Sequence, residues 1–344
     1  MAALTVITPT YWPEVRRGAE RLAHDLASAL PATLITTHRG GVRRAREDGI
    51  DVVRLPRLPG EGRLARRMYE QHLTAMPALE LELRRTRPAA ALALQATAAV
   101  ASIRAGVPTV FAHMGIPHRQ SLVNRRARLN LVERACREAV AVTALSEAAR
   151  DAFRTHLGVE AHVIHPPVDT ERFSPGGVRS EHPTIACAAD PDEPRKRVPL
   201  LIEAMSHVRR EHPHAMLLLD VRKRFQASGV TWVDMTDLPT IYRSAWVSAL
   251  PSWGEAFGLV LAEALACGTP VVGSNREGIP EVLGGDERVG RLFDGDDPRA
   301  LARAIVETIE LAQDPGTAAA CRARAEHFSL DRAAEAYRAL LRAR

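Results

Sequence analysis

Two glutamates, Glu255 and Glu263, carry the first chemistry this sequence offers. They lie in the run from Val247 to Gly273, which reads as a strand, a loop of small residues, a helix over Phe257–Cys267 and a buried strand from Pro270. Gly268 closes the helix, as glycine does just past a helix end. Every face of that helix is apolar except at Glu263, and a helix apolar all round is buried. A buried carboxylate without a partner costs several kcal/mol, so Glu263 needs an internal donor or the hydroxyls of a ligand. Glu255 stands just before the same helix, at the carboxyl end of a strand. In open α/β sheets that crevice takes ligands, and the amides of a helix N-terminus favour phosphate oxygens there. The plainer role for Glu255 is to complement the helix dipole.

Lys196 is the third candidate. The chain has 46 Lys+Arg residues, and only Lys196 and Lys223 are lysine. A compact ammonium serves a phosphate as a point charge, so a lysine kept where arginine is the rule is informative. His113, at the end of an apolar run, and Gly18, at the mouth of a helical pattern, are weaker candidates: a strand-end histidine or a helix-entry glycine is often structural. The arginines at 43, 44, 46, 63, 66, 67, 119, 125, 126 and 128 read as solvated surface, with an anionic acceptor or membrane surface as the alternative.

The elements that position these residues follow from alternating short apolar runs and longer amphipathic ones, the pattern of βαβ units and a parallel sheet. Strands are expected at Leu4–Thr8, Thr33–Thr37, Asp51–Leu55, Ala89–Leu94, Thr109–Ala112, Val140–Ala144 and His162–Ile164. Helices are expected at Gly18–Leu30, Arg63–Arg85 and Ser146–Leu157, the last with Ser146 as N-cap and Glu147 in its first turn. The Pro/Gly-dense segment Pro166–Gly177 marks a linker. Strands then resume at Thr184–Ala188, Met216–Asp220, Thr231–Asp234, Val247–Leu250, Pro270–Gly273 and Gly290–Phe293.

Composition agrees with two α/β domains. The 344 residues are 46% apolar and 25% charged, which excludes a disordered, collagen-like or coiled-coil chain. No apolar window is long enough to span a bilayer, and the first residues lack the pattern of a signal peptide. Cys136, Cys187, Cys267 and Cys321 are scattered, so neither a zinc site nor a disulfide framework is expected, and the expected compartment is the cytoplasm. The net charge of +5 is uneven. Residues 1–165 hold 24 arginines against 15 acids, and residues 166–344 hold 22 basic residues against 26 acids, which suggests a different partner for each half.

Glu255 and Glu263, with Ala256-Phe257-Gly258-Leu259 between them and Gly268-Thr269-Pro270-Val271-Val272 after, resemble the E-x7-E signature of glycosyltransferase family 4. The resemblance extends along nearly the whole chain. Pro13-Glu14 and Gly18-Ala19-Glu20-Arg21-Leu22 resemble the family's glycine loop and first helix, and Pro108–His113 the strand ending in its active-site histidine. Ala144-Leu145-Ser146, the interdomain run Val163–Asp169 with Phe173 and Pro175, the turn Gly278-Ile279-Pro280-Glu281, and Phe328-Ser329 with Tyr337 match further segments. Lys196 aligns with the family's diphosphate-binding lysine.

The resemblance implies a GT-B fold: two Rossmann-like domains facing across a cleft, residues 1–167 on the acceptor side and 168–327 holding the nucleotide sugar. The C-terminal helix, 328–344, would cross back to the first domain. It implies a retaining, metal-independent transfer of a sugar from a nucleotide-diphosphate sugar, UDP favoured and GDP the alternative, to a hydroxyl of a saccharide, lipid-linked glycan or natural product. The nucleotide sugar is a substrate, so no cofactor is expected. By resemblance Lys196 neutralises the diphosphate, Glu263 binds ribose, and Glu255, Ala256, Phe257, Gly258 and Leu259 hold sugar and phosphates. Gly18 and Val233 line the donor, and His113 contacts the transferred sugar.

The sequence departs from the family in three places. Arg17 stands where a second glycine is usual. Ala189–Glu193 replaces a glycine-arginine pair, so Arg195 or Arg197 must supply that cation. Only Val221–Gly229 separates two strands where a glycine loop and a full helix are usual. Three rivals remain open: a GT-B UDP-sugar epimerase, a dinucleotide-dependent oxidoreductase, and a non-enzymatic binder of anionic polymers. The oxidoreductase is disfavoured because Thr8-Pro9-Thr10-Tyr11, not G-x-G-x-x-G, follows the first strand.

Overall fold

The structure, a computed structural model, describes residues 4–15, 18–57, 72–118, 126–220 and 230–342. Its first stretch runs β1 (Leu4–Ile7), α1 (Gly18–Ala29), β2 (Thr33–His38), β3 (Arg43–Glu47), β4 (Ile50–Pro56), α2 (Met76–Thr86), β5 (Ala90–Ala93), α3 (Ala96–Arg104), β6 (Thr109–Ala112), α4 (Arg126–Glu138), β7 (Ala141–Ala144), α5 (Glu147–Leu157) and β8 (His162–Val163). It continues through β9 (Thr184–Ala186), α6 (Val198–Glu211), β10 (Met216–Asp220), β11 (Val230–Val233), α7 (Leu238–Ser244), β12 (Val247–Leu250), α8 (Leu259–Ala266), β13 (Val271–Ser274), α9 (Ile279–Leu283), β14 (Gly290–Phe293), α10 (Pro298–Leu311), α11 (Thr317–Ala325) and α12 (Leu330–Arg342). The chain divides into two compact units: residues 1–167 with 330–344, and residues 168–329.

Unit 1 is built on an eight-stranded sheet in the order β3-β4-β2-β1-β5-β6-β7-β8, parallel except for β3. Side chains alternate between its faces with the two-residue period of a strand. Ile7, Ala91 and Ala93 enter one core with Leu79, Leu83, Val100 and Phe153; Val6, Ala90 and Leu92 enter the other with Leu22, Leu26 and Tyr337. The second core thus binds the chain's final helix into the unit that holds its beginning. The Tyr337 hydroxyl lies 3.5 Å from Thr143 Oγ1, and Arg338 Nη2 donates to Ala29 O at 2.6 Å.

Unit 2 carries a six-stranded, wholly parallel sheet in the order β11-β10-β9-β12-β13-β14. Its strands are short apolar runs, as strands covered on both faces require. α6 buries Val198, Leu201, Ala204, Met205 and Val208, one stripe at helical spacing. α8 is buried from Leu261 to Ala266. In both units the strand order reverses beside the first strand, between β1 and β5 and between β9 and β12.

Most strand boundaries agree to within one or two residues, two helix starts differ from the sequence reading for an identifiable reason, and one strand escaped it. The helix expected over Phe257–Cys267 spans Leu259–Ala266, because Gly258 adopts φ 108°, a left-handed cap that Phe257 cannot precede helically. Of the helix expected over Arg63–Arg85, residues 72–75 form a 3₁₀ turn and α2 begins at Met76 with Pro77 in its first turn; residues 63–71 lie outside the described residues. β3, with sequence Arg-Arg-Ala-Arg-Glu, is an edge strand antiparallel to β4, so its charges face water and its pattern carries no apolar alternation. Arg44 on this strand pairs with buried Glu82 at 2.9 Å.

Candidate active site

The strand order of unit 2 fixes where its functional side chains meet. β9 and β12 are hydrogen-bonded neighbours, and the chain leaves them in opposite directions across the sheet. Ligands of open α/β sheets bind at the carboxyl ends of such a pair. After β9, a 3₁₀ turn over Pro194–Lys196 carries Arg195 and Lys196. After β12, the loop from Pro251 to Gly258 carries Glu255.

These two loops are stitched together. Lys196 Nζ donates to Glu255 Oε1. Arg195 Nη1 stands 3.0 Å from Glu255 Oε2, and also donates to Gly254 O. The backbone answers in the other direction, with Trp253 N–H donating to Arg195 O at 2.7 Å. Burial alone would raise the Glu255 carboxyl, but the neighbouring Lys196 ammonium and Arg195 guanidinium outweigh it and hold the group below the usual carboxylate range. Glu255 is therefore an anion between two cations, with its side chain 14% exposed.

The next residues pass a tight contact. Gly278 N–H donates to Glu255 O at 3.0 Å, and a Cβ at Gly278 would stand 2.4 Å from Ala256 O. Only glycine lets the β13–α9 turn run this close beneath Ala256 and Phe257. Phe257 is buried edge-on to Phe328, ring centroids 4.9 Å apart. Gly258 then caps α8, Leu259 opens it, and Glu263, in its second turn, is 2% exposed.

Arg197 stands apart from the neighbouring cations. Its backbone is left-handed (φ 51°), and its side chain runs the other way to donate to Pro251 O at 2.6 Å and Gly295 O at 3.0 Å and to pair with Asp296. It thereby ties the start of the Glu255 loop to the loop after β14. Arg195 rather than Arg197 accompanies Lys196 on Glu255.

The remaining candidates lie elsewhere. Val233 ends β11, at the sheet edge and separated from β9 by β10. Gly18 begins α1 of unit 1 and is exposed; Arg17 before it lies outside the described residues, as do residues 221–229 and the arginines at 63, 66, 67, 119 and 125. His113, also in unit 1, follows β6 and is 9% exposed, its ring edge-on to Phe153 at 5.5 Å. Burial, reinforced by the Arg128 charge, pushes His113 down to about 4, so at neutral pH it is an uncharged imidazole that can donate or accept a hydrogen bond. Cys136, Cys187, Cys267 and Cys321 are buried thiols pushed up to about 11 or 12 by burial, and so hold little thiolate. Among the described residues no three His, Cys, Asp or Glu side chains gather as metal ligands would, and no helix is long and apolar enough to cross a membrane.

Sequence reasoning passed over Trp253 and Arg276. Trp253 is 50% exposed in the loop that carries Glu255, and Arg276 lies over its ring at 4.3 Å. An aromatic residue among the small residues of that loop was the available signal.

Comparison with known proteins agrees along the chain. Residues 16–172 match the model described as Glycosyltransferase Family 4, and residues 182–310 the model described as Glycosyl transferases group 1. A GDP-mannose-dependent alpha-(1-6)-phosphatidylinositol monomannoside mannosyltransferase of Mycolicibacterium smegmatis is 30% identical over 228 residues, 56% of this chain and 58% of that one. A D-inositol 3-phosphate glycosyltransferase of Salinispora tropica is 51% identical over 69 residues, 20% of this chain and 14% of that one. The matched stretches thus cover less than two thirds of these relatives. Anabaena HepE, solved with UDP-glucose, shares the fold with a TM-score of 0.78 at 20% identity over 99% of both chains. An E. coli trehalose-6-phosphate protein bound with UDP-2-fluoro glucose does so with 0.77 at 12% identity, again over 99% of both. With both units matched and each built on a Rossmann-like sheet, the chain belongs to the family 4 type of glycosyltransferase.

Proposed function

We propose that the chain is a retaining glycosyltransferase that moves a sugar from a nucleotide-diphosphate sugar to an acceptor hydroxyl. The observation that carries this is the pair of cations, Lys196 and Arg195, converging on Glu255 where the strand order of unit 2 reverses. Two cations at that crevice suit a diphosphate. A diphosphate entering there would draw Lys196 and Arg195 away from Glu255 and release its carboxylate to accept hydrogen bonds from sugar hydroxyls. Glu263 would receive the ribose hydroxyls, and the α8 N-terminus would add its dipole.

In the transfer the bond from the anomeric carbon to the diphosphate oxygen breaks, and the bond to the acceptor oxygen forms on the same face. The departing phosphate takes the acceptor proton, while Lys196 and Arg195 offset the charge that develops on it. His113 takes part in sugar recognition as a neutral hydrogen-bonding group, a role supported by its low proton affinity. A UDP-sugar is favoured and a GDP-sugar is the alternative. Relatives and neighbours of both kinds are known by name: the Mycolicibacterium enzyme is GDP-mannose-dependent, and HepE was solved with UDP-glucose. The protein is assigned to the cytoplasm, with a saccharide, lipid-linked glycan or natural product as acceptor.

Nucleotide release from UDP-, GDP- and dTDP-sugars, scored across a panel of acceptor alcohols with Lys196→Ala and Glu263→Ala as controls, tests the assignment. NMR of the product should show the donor's anomeric configuration retained. An inverted product would overturn the mechanism, and nucleotide-independent behaviour would overturn the assignment itself.

A further inference from the structure

Near the Lys196–Glu255–Arg195 cluster lies a further cation whose arrangement calls for a ligand. Trp253, two residues before Glu255, is half exposed, and its backbone N–H is fixed on Arg195 O. Arg276, from the turn between β13 and α9, lays its guanidinium 4.3 Å from the centre of that indole. Arg197 approaches the same ring at 5.6 Å but is committed to Asp296 and to two backbone carbonyls. Arg276 forms no ion pair among the described residues.

A guanidinium stacked on an aromatic ring uses its face and keeps its in-plane N–H fork for a planar or tetrahedral anion. Stacking also restricts the side chain's rotamers before any ligand arrives, which lowers the entropic cost of binding. Neither Glu255 nor Asp296 consumes this cation, and the carboxylate of Glu277 lies against Gly254. Glu255 is held between Lys196 and Arg195, and Asp296 by Arg197. Arg276 is partly buried, and its ring contact at 4.3 Å is shorter than the 5.3–5.6 Å of Arg54, Arg172, Arg179 and Arg197 over their rings.

We propose that Arg276, braced on Trp253, is a specificity-determining residue that takes an anionic group, a phosphate or carboxylate, borne by a carbohydrate bound beside Glu255. The inference rests on the nucleotide-sugar reading of this site. The anion belongs either to the donor sugar or to the acceptor, and the two sources are separable.

Calorimetric titration of the full chain compares UDP-glucose with UDP-glucuronic acid, and then, with UDP bound, glucose with glucose 6-phosphate. In one of the two pairs the anionic member should bind roughly ten-fold or more tightly than the neutral one, as a charge-assisted hydrogen bond allows. Arg276→Gln should bring that pair to within about two-fold while UDP affinity stays at the wild-type value. Trp253→Phe, which keeps an aromatic ring under the guanidinium, should keep part of the preference. The absence of any preference in both pairs, or a preference that survives Arg276→Gln, overturns the anion site and leaves the donor reading standing. Should GDP bind in place of UDP, the same pairs are compared with the GDP-sugars and GDP; failure of both UDP and GDP to bind the wild type overturns the donor reading, and this inference with it.

Discussion

Lys196 and Glu255, 59 positions apart in the chain, meet as a side-chain ion pair because β9 and β12 are neighbours whose following loops rise on the same edge of the sheet. Arg195 stands on the other carboxylate oxygen; under the proposed function a diphosphate would replace the carboxylate on both cations.

Lys196→Ala should therefore damage nucleotide binding far more than stability. Loss of a charge-assisted contact to phosphate is expected to weaken UDP-sugar binding by roughly 100-fold. Arg195 continues to neutralise Glu255, so the melting temperature should fall only slightly. Lys196→Arg should recover part of the affinity, since a planar fork is a poor replacement for a point charge. Titration calorimetry beside thermal unfolding separates the two effects.

Gly278→Ala tests how the Glu255 loop is held. Its new Cβ would press on the backbone of Ala256 and Phe257, neither of which is the tip of a flexible side chain. A stability loss of about 1–3 kcal/mol is expected from such overpacking, with weaker nucleotide binding alongside. Urea unfolding and UDP titration of the same sample check both.

How much of this was legible in the sequence depends on the kind of signal each part sends. β6, β10, β12 and β14 were readable to the residue, because buried parallel strands are short apolar runs bounded by breakers. β3 was not, since an edge strand of arginines obeys pairing with β4 rather than hydrophobic period. Glu263 was recognised as buried from the apolar residues around it, and it is. The start of α8 was misread by two residues because the left-handed turn at Gly258, φ 108°, stops the helix at Leu259 while the apolar pattern runs on through Phe257 without a break. The choice between Arg195 and Arg197 was likewise closed to sequence: Arg195 lies in the 3₁₀ turn while Arg197, its left-handed C-cap, sends its side chain to Asp296, and only the fold shows which of them faces Glu255.

His113 predicts a pH dependence. Burial holds its folded-state proton affinity near 4, against 6.5 for an unperturbed imidazole. The unfolded chain thus binds the proton more readily, so the stability contribution is complete above about pH 6.5 and is lost as pH falls from there toward 4. The loss is on the order of 3 kcal/mol. Urea unfolding at pH 7.5 and pH 5 should show the decline, and His113→Gln should flatten it. Glu255, whose folded-state affinity is lowered, adds stability that is fully present above the unfolded carboxyl value of 4.5 and is lost only as pH falls from there through its folded value, so it adds little to the change between pH 7.5 and pH 5.

Tyr337 tests whether the returning helix is part of the core of unit 1. Its ring is 1% exposed among Leu22, Leu26 and Val110, so Tyr337→Ala should cost about 3–5 kcal/mol, as large aromatic truncations do. Tyr337→Phe should cost about 1 kcal/mol or less, because the hydroxyl's contact with Thr143 is long at 3.5 Å. Calorimetric unfolding of the two variants distinguishes packing from hydrogen bonding.

The most direct test of the central claim is titration of UDP- and GDP-sugars into the wild-type chain and Lys196→Ala, followed by heat of binding and thermal shift together. The account predicts saturable binding of at least one of these donors to the wild type, a raised melting temperature, and loss of both in the variant. A wild type that no nucleotide sugar stabilises, or a variant that binds as tightly as the wild type, would contradict it.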